Sequence, residues 1–335
     1  MIRLNSIPQG LAVEYKKYRL KKLTNCLKQL IEKREKVAGT GVTNEEKRYC
    51  REVDRIAGYL SVDGNLDDTK IEELLLGNIT KLKDAVNQIG IVKSPDIKDT
   101  FDGLYNNLIT NKIMKDWAKK TGVTVCPYCN RSYIFTVENG GIRPQYDHFF
   151  PRADYPYLSI SMYNLIPCCS VCNLAKHDKS VYVNGKLTMI YPYENGYGHQ
   201  AVFDVTSKDK PTDRVSAWLG MTEDYAVQLR YTRDIDDDLK AQIENSWKEF
   251  KLQELYEQHS DYIRDILRTN YIYNDAYFES LVEQFPTLFV DAAEAKNLVY
   301  FNYLDEKDWG KRILAKLTHD LEPLYGKPDG RLPAG

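Results

Sequence analysis

The sequence predicts an α+β protein, mainly helical, with helical flanks around one small β-containing core. Three observations carry this expectation. Apolar residues recur at three- and four-residue intervals through the first 120 residues and again from Asp236 onward. Between those regions, short β-rich runs are punctuated by Asn-Gly pairs, the chemistry of tight hairpin turns. Within that middle stretch lie two CxxC pairs, Cys126/Cys129 and Cys169/Cys172, about 40 residues apart.

A chain of 335 residues exceeds the usual single domain. The pattern divides it into a helical region 1–120, a cysteine-bearing core 121–195, and a mainly helical region 196–335 with some strands. Hydrophobic content of 43% and 25 tyrosines exclude a disordered chain. The net charge of −2 selects no partner, but its distribution is uneven. Residues 14–36 hold nine basic against three acidic side chains, and residues 111–180 hold nine against five. Two basic segments in a neutral protein suit an anionic polymer. MIRLNSIPQG lacks the basic-then-apolar run of a signal peptide, and no stretch of about 18 apolar residues occurs, so a membrane span is not expected. Five of the seven cysteines fall within 126–172, which fits thiolate ligation in a reducing cytoplasm better than a disulfide framework. Cys26 and Cys50 read as plain buried side chains.

In chain order, Tyr15, Leu23, Leu27 and Leu30 place an amphipathic helix over 11–37. A second runs from Glu45 to about Leu60, a third over 71–89 up to Gly90, and a fourth over 98–120. Tyr133–Val137 and Pro144–Phe150 read as the arms of a hairpin around Asn139-Gly140-Gly141. A helix is expected from Val171 or Cys172 to Lys179. VYVNGKLTM predicts another hairpin, and strands follow at 201–206 and 225–232. Helical patterns then cover 236–269, 275–284, 291–300 and 307–325, and the tail after Tyr325 is expected to be mobile.

Two CxxC turns can each present two thiolates to one tetrahedral centre, so Cys126, Cys129, Cys169 and Cys172 are expected to hold zinc. Cys168 adjoins the second pair, but only Cys169 gives the two-residue gap to Cys172. Four sulfurs leave no open coordination position, so this site is structural and any catalysis must come from elsewhere.

The linked motifs DH, NL and CxxCNxxK, preceded by CxxC, resemble the HNH endonucleases of the ββα-metal superfamily, in the subgroup framed by a four-cysteine zinc. The resemblance covers about 50–65 residues of the chain. It implies a small zinc-stapled ββα core and metal-dependent hydrolysis of phosphodiester bonds, in DNA or in RNA. His148 would be the general base, while Asp147 and Asn173 would hold one Mg²⁺ or Mn²⁺ through oxygens. Asn164 would position the His148 ring, and Lys176 would meet phosphate. Adjacent strand residues point to opposite sides, so Asp147 and His148 need a bend, or two roles reached from two directions. Arg152 and Arg131 are candidate nucleic-acid contacts. His177 stands where Gly is frequent in the family, either as an added metal or phosphate ligand or as a solvent-facing side chain. Zinc-framed HNH proteins of this size also resemble the nuclease partners of bacterial anti-phage systems, including Septu-like pairs with an ATPase. The competing reading is a zinc module that binds nucleic acid without cutting it.

Asp234, Asp236, Asp237 and Asp238 sit where a helix begins and read as caps. His199, His259 and His319 show no metal-ligand spacing and read as structural.

Overall fold

The computed structural model describes residues 1–37, 42–110, 112–137 and 141–322. They mix helices with two-stranded sheets, an α+β arrangement, and group into two compact units, each assembled from non-contiguous stretches. One contains Asn5–Gly122 and Phe135–Lys186, the other Met1–Leu4, Val123–Ile134 and the chain from Leu187 onward. The consecutive segments 1–120, 121–195 and 196–335 do not coincide with these units. Residues 123–134 group with the later helices, and 135–186 with the earlier ones.

In the first of these units, α1 (Gln9–Val37) buries Leu11, Tyr15, Arg19, Leu23, Leu27 and Leu30, a stripe at helical spacing. α2 (Asn44–Leu60) opens on a capping box that begins at Thr43, one residue earlier than Asn44. The Thr43 hydroxyl accepts from Glu46 N–H at 3.2 Å, and the Glu46 carboxylate accepts from Thr43 N–H at 2.7 Å. A hairpin not foreseen from the sequence follows, β1 (Ser61–Val62) and β2 (Asn65–Leu66), turned by Asp63-Gly64. The single helix expected over 71–89 is two, α3 (Asp68–Leu76) and α4 (Ile79–Ile89). The Asn78 side chain caps the second by accepting from Thr80 and Lys81 N–H. A β-carbon at Gly77 would lie 2.3 Å from the Glu73 carbonyl oxygen, so only glycine permits so tight a junction. The helix expected over 98–120 likewise divides into α5 (Pro95–Ile109) and α6 (Lys112–Lys120).

The hairpin expected between Tyr133–Val137 and Pro144–Phe150 does not form among the described residues; residues 138–140, with its Asn139-Gly140, lie outside them. Tyr133 makes one isolated bridge with Val125, and Val137 N–H donates to the Ile142 carbonyl. Tyr133, Phe135 and Val137 are all exposed and so have no apolar face to bury. Instead β3 (Gln145–His148) pairs antiparallel with β4 (Leu165–Cys168), an entirely buried strand, with Asp147 opposite Ile166 and His148 opposite Leu165. α7 (Ser170–Lys176) packs back on β3 and ends earlier than expected, because His177 takes a left-handed φ of 46°. β5 (Tyr182–Val183) and β6 (Lys186–Leu187) are joined through Asn184-Gly185, both at positive φ as an Asn-Gly hairpin requires.

In the other unit, β7 (Ala201–Ser207) pairs with β8 (Tyr225–Tyr231) around α8 (Arg214–Trp218), close to the two strands expected. The region 236–269 is three helices, α9 (Asp237–Glu249), α10 (Leu252–Glu257) and α11 (Ser260–Ile272), broken where Lys251 turns left-handed. α12 (Asp275–Gln284) and α13 (Ala292–Val299) match their expected positions, whereas α14 (Ala315–Leu321) is shorter than 307–325. Asp236 caps α9 by accepting from Leu239 N–H, as the capping reading requires. Cys26 and Cys50 are half-buried, not fully buried: each lies off its helix's inner stripe. The tail after Tyr325 lies outside the described residues. Among those described, no helix is long and apolar enough to cross a membrane.

Gly77→Ala should destabilise the protein by about 1–3 kcal/mol through overpacking at the junction of α3 and α4, read as a lower urea midpoint with unchanged slope.

Candidate functional site

The sulfurs of Cys126, Cys129, Cys169 and Cys172 all lie within 4.8 Å of one another, and all four residues are buried. A tetrahedral ion with bonds near 2.3 Å sets sulfurs about 3.8 Å apart, the same scale. These four residues could therefore hold a metal ion such as zinc. Local backbone prepares each pair. Asn130 N–H donates to the Cys126 carbonyl and Arg131 N–H to the Cys129 sulfur, closing a tight turn in which Asn130 takes a φ of 51°. Cys169 caps α7, accepting from Cys172 N–H at 3.5 Å. Cys168 stays outside the group. Burial, together with the Asp147 carboxylate, raises its thiol pKa well above the ordinary value.

Along β3, Gln145 and Asp147 share one face, as residues two apart must, and α7 meets that face. Asn173 donates to the Gln145 side-chain oxygen at 2.8 Å. One turn later, Lys176 Nζ donates to Asp147 Oδ1 at 2.9 Å and to the His148 carbonyl at 2.7 Å. Lys176 is fully buried, so the lysine read from sequence as a phosphate contact is a cross-link between helix and strand. Asp147 and Asn173 thus bring a carboxylate and a side-chain amide to this face, with Gln145 beside them. That is the donor type hard divalent cations take. Such an ion would share Asp147 with Lys176.

The His148 ring has different company. Its Nε2 lies 3.0 Å from the Ser159 carbonyl oxygen, which can only accept, so Nε2 carries the proton and Nδ1 carries the lone pair. The Tyr105 ring meets it edge-on at 4.6 Å. Burial, followed by the positive charge of Arg152, lowers the His148 pKa to about 3, so the ring is neutral at physiological pH. Arg152 pairs with Asp102 at 3.3 Å and lies 5.1 Å over the Tyr105 ring.

Asn164 does not touch the ring. Its Oδ1 accepts from Phe150 N–H at 2.7 Å, while its Nδ2 donates to the Phe150 and Leu158 carbonyls at 3.2 and 3.1 Å. It thus staples both ends of the loop that follows His148, next to the Ser159 carbonyl that holds Nε2. His177 is exposed beside Asp178 and contributes nothing to this group. Arg131 donates to His259 Nε2 at 3.1 Å, in the other unit. His199 and His319, though distant in sequence, bring their rings within 5.2 Å beside Trp309, a packed aromatic group.

Sequence reading missed Gln145, Tyr105 and Ser159. Gln145 had a signal, its two-residue offset from Asp147. Ser159 had none, because it acts through a backbone carbonyl, and Tyr105 arrives from a distant helix.

Cys169→Ser should reduce bound zinc from about one ion per chain to near zero, read by elemental analysis of purified protein. Asn164→Ala orphans three buried backbone groups and should destabilise the protein by about 2–4 kcal/mol, read by thermal or urea unfolding.

No protein-family model and no solved structure matches the chain. It is similar to Protein ea31 of Escherichia phage lambda, 27% identical over 126 residues, which are 36% of this chain and 34% of that protein. The match thus spans about a third of that relative's length.

Proposed function

We propose that the chain is a metal-dependent endonuclease of the HNH type, hydrolysing phosphodiester bonds, with DNA as the first substrate to test. The observation that supports this best is the state of His148. Its Nε2 proton is committed to the Ser159 carbonyl, so Nδ1 is the one basic atom of a ring held neutral by its surroundings. The free lone pair at Nδ1 is the acceptor that taking a proton from an attacking water requires, whereas the lowered pKa makes this ring a weak base until substrate or a cation changes its surroundings. The strand–loop–strand–helix order of β3, β4 and α7 supports a ββα reading, with β4 in place of the hairpin arm expected at 133–137.

In this reading His148 Nδ1 removes the proton, while Ser159 and Tyr105 fix the direction of the lone pair. Asn164 keeps Ser159 in place through Leu158. Asp147 and Asn173 would hold Mg²⁺ or Mn²⁺, which supplies positive charge against the charge developing on the phosphate and leaving oxygen. Arg152, half-exposed above Tyr105, is the nearby cation that could meet substrate phosphate. Thiolate-bound zinc takes no part in the chemistry. We also place the chain with a partner protein, such as the ATPase of a phage-defence pair, by family analogy alone.

A second reading is favoured by the buried Lys176–Asp147 pair, since a carboxylate already neutralised can be purely structural. The chain would then be a zinc-stabilised module that binds nucleic acid without cutting it.

Nicking of supercoiled plasmid with Mg²⁺ or Mn²⁺ separates the two. The enzyme reading expects His148→Ala to lose about 10²–10⁴ of the cleavage rate while retaining its melting temperature and DNA binding. Wild-type protein that binds DNA but nicks neither plasmid nor structured RNA with either ion sinks it.

A further inference from the structure

The two faces of β3 are furnished differently. Gln145 and Asp147 face α7, where the Asp147 carboxylate meets the buried Lys176. Tyr146 and His148 point the other way, as alternate strand residues must, and this second face gathers two guanidinium groups. Arg152 lies 5.1 Å over the Tyr105 ring, which itself meets the His148 ring at 4.6 Å. Arg143 lies 5.8 Å over the Tyr146 ring. Residues two apart on a strand are separated by ~6.8 Å, so the second arginine sits one step back along β3 from the histidine.

The fold makes little use of the Arg143 head group and none of the Tyr105 hydroxyl. Arg143 donates from Nη1 to the adjacent Pro144 carbonyl at 3.0 Å and has no carboxylate partner among the described residues. Arg152, by contrast, is paired with Asp102. The Tyr105 hydroxyl makes no hydrogen bond among the described residues, whereas the hydroxyls of Tyr146 and Tyr157 donate to the Met114 and Gly90 carbonyls at 2.9 and 3.0 Å. Arg143 and Tyr105 are both half-exposed, so a ligand can reach them from solvent. Burial raises the Tyr105 pKa, and the charges of Arg152 and Arg143 both oppose that rise, so the two arginines act on one hydroxyl.

We propose that Arg143 and the Tyr105 hydroxyl hold a second phosphate of the nucleic-acid strand, next to the one that His148 and Arg152 would face. A guanidinium with Nε and Nη2 uncommitted can donate to two oxygens of one phosphate, and the phenol supplies a further donor. The charges acting on the His148 ring include Arg152 but not Arg143, which puts Arg143 at the adjoining phosphate and not at the reacting one. A contact of this kind fixes the register of the strand without reading its bases. The assignment rests on the reading that the chain acts on nucleic acid, yet it needs no cleavage.

The test uses the full chain without Mg²⁺ or Mn²⁺, and a short labelled DNA duplex as probe. Arg143→Gln should weaken binding by about tenfold and reduce the slope of log affinity against log salt by about 0.9, the loss of one phosphate contact. Arg143→Lys, a charge without the fork, should restore the slope. Tyr105→Phe keeps the ring against His148 and should weaken binding by about threefold with the slope unchanged, because only a neutral donor has gone. It should melt with the wild type, since its hydroxyl has no partner inside the protein. Binding and slope unchanged in Arg143→Gln would overturn the proposal. So would Tyr105→Phe melting well below the wild type, which would make the hydroxyl a structural group. A wild type that shows these dependences yet never nicks plasmid keeps the contact and loses the nuclease. One that nicks, with Arg143→Gln binding as tightly, keeps the nuclease and loses the contact.

Discussion

The side chain of Lys176 is the constraint on which the strand–helix unit depends. α7 is only seven residues long, too short to hold its shape alone in water. Cys169 caps its start, and near its end the buried ammonium reaches across to the Asp147 carboxylate and the His148 carbonyl. Such a pair adds little over an apolar contact when intact, but losing one partner leaves a charge stranded, at a cost of about 3–5 kcal/mol. The two β3 residues to which the proposed chemistry is assigned are therefore the two that anchor the helix. Neither can shift without breaking the other's support.

The same anchoring shows where two adjacent residues facing opposite ways find their partners. Asp147 points to α7, where Lys176 holds it, and His148 points to the loop and to α5. The loop itself is braced from several directions. Ser161 donates to the Leu74 carbonyl at 2.6 Å, Tyr15 to the Ile160 carbonyl, and Tyr157 to the Gly90 carbonyl at 3.0 Å. Val92 N–H reaches the Asp154 carbonyl at 2.9 Å. The early helices show no chemistry of their own in the sequence. Their work in this unit is to fix residues 151–164, and through them the carbonyl that sets the histidine tautomer.

Much of this was legible from the sequence, and the failures have identifiable causes. The CxxC spacing selected the four cysteines that cluster and set Cys168 aside, because ligand geometry is local. Helix existence was readable from apolar periodicity, but helix breaks were not. Periodicity passes straight through Gly77-Asn78 and Lys251, where a cap or a left-handed residue ends one helix and permits another. The misplaced hairpin has a different origin. Residues 133–137 have β-forming side chains, but β4 supplies a buried face for β3 from 17 residues beyond His148, and burial outweighs propensity. The role of Asn164 was half legible. The family resemblance implied that it positions the His148 ring, whereas its contacts form a staple across the loop backbone that spacing does not encode.

The electrostatics around β3 set the terms on which any functional reading must work. Lys176 neutralises Asp147, Asp102 accompanies Arg152, and His148 carries no charge at neutral pH. The group is thus close to electrically balanced before any substrate arrives. A phosphodiester, the substrate proposed above, would bring a negative charge to it, and that charge would grow in the transition state. Arg152 can release Asp102, since both are partly exposed and such pairs are weak. Lys176 cannot release Asp147 without stranding a buried charge. Under the proposed nuclease reading, positive charge would therefore have to come from the arginine side and from an added cation, with the lysine remaining as scaffold.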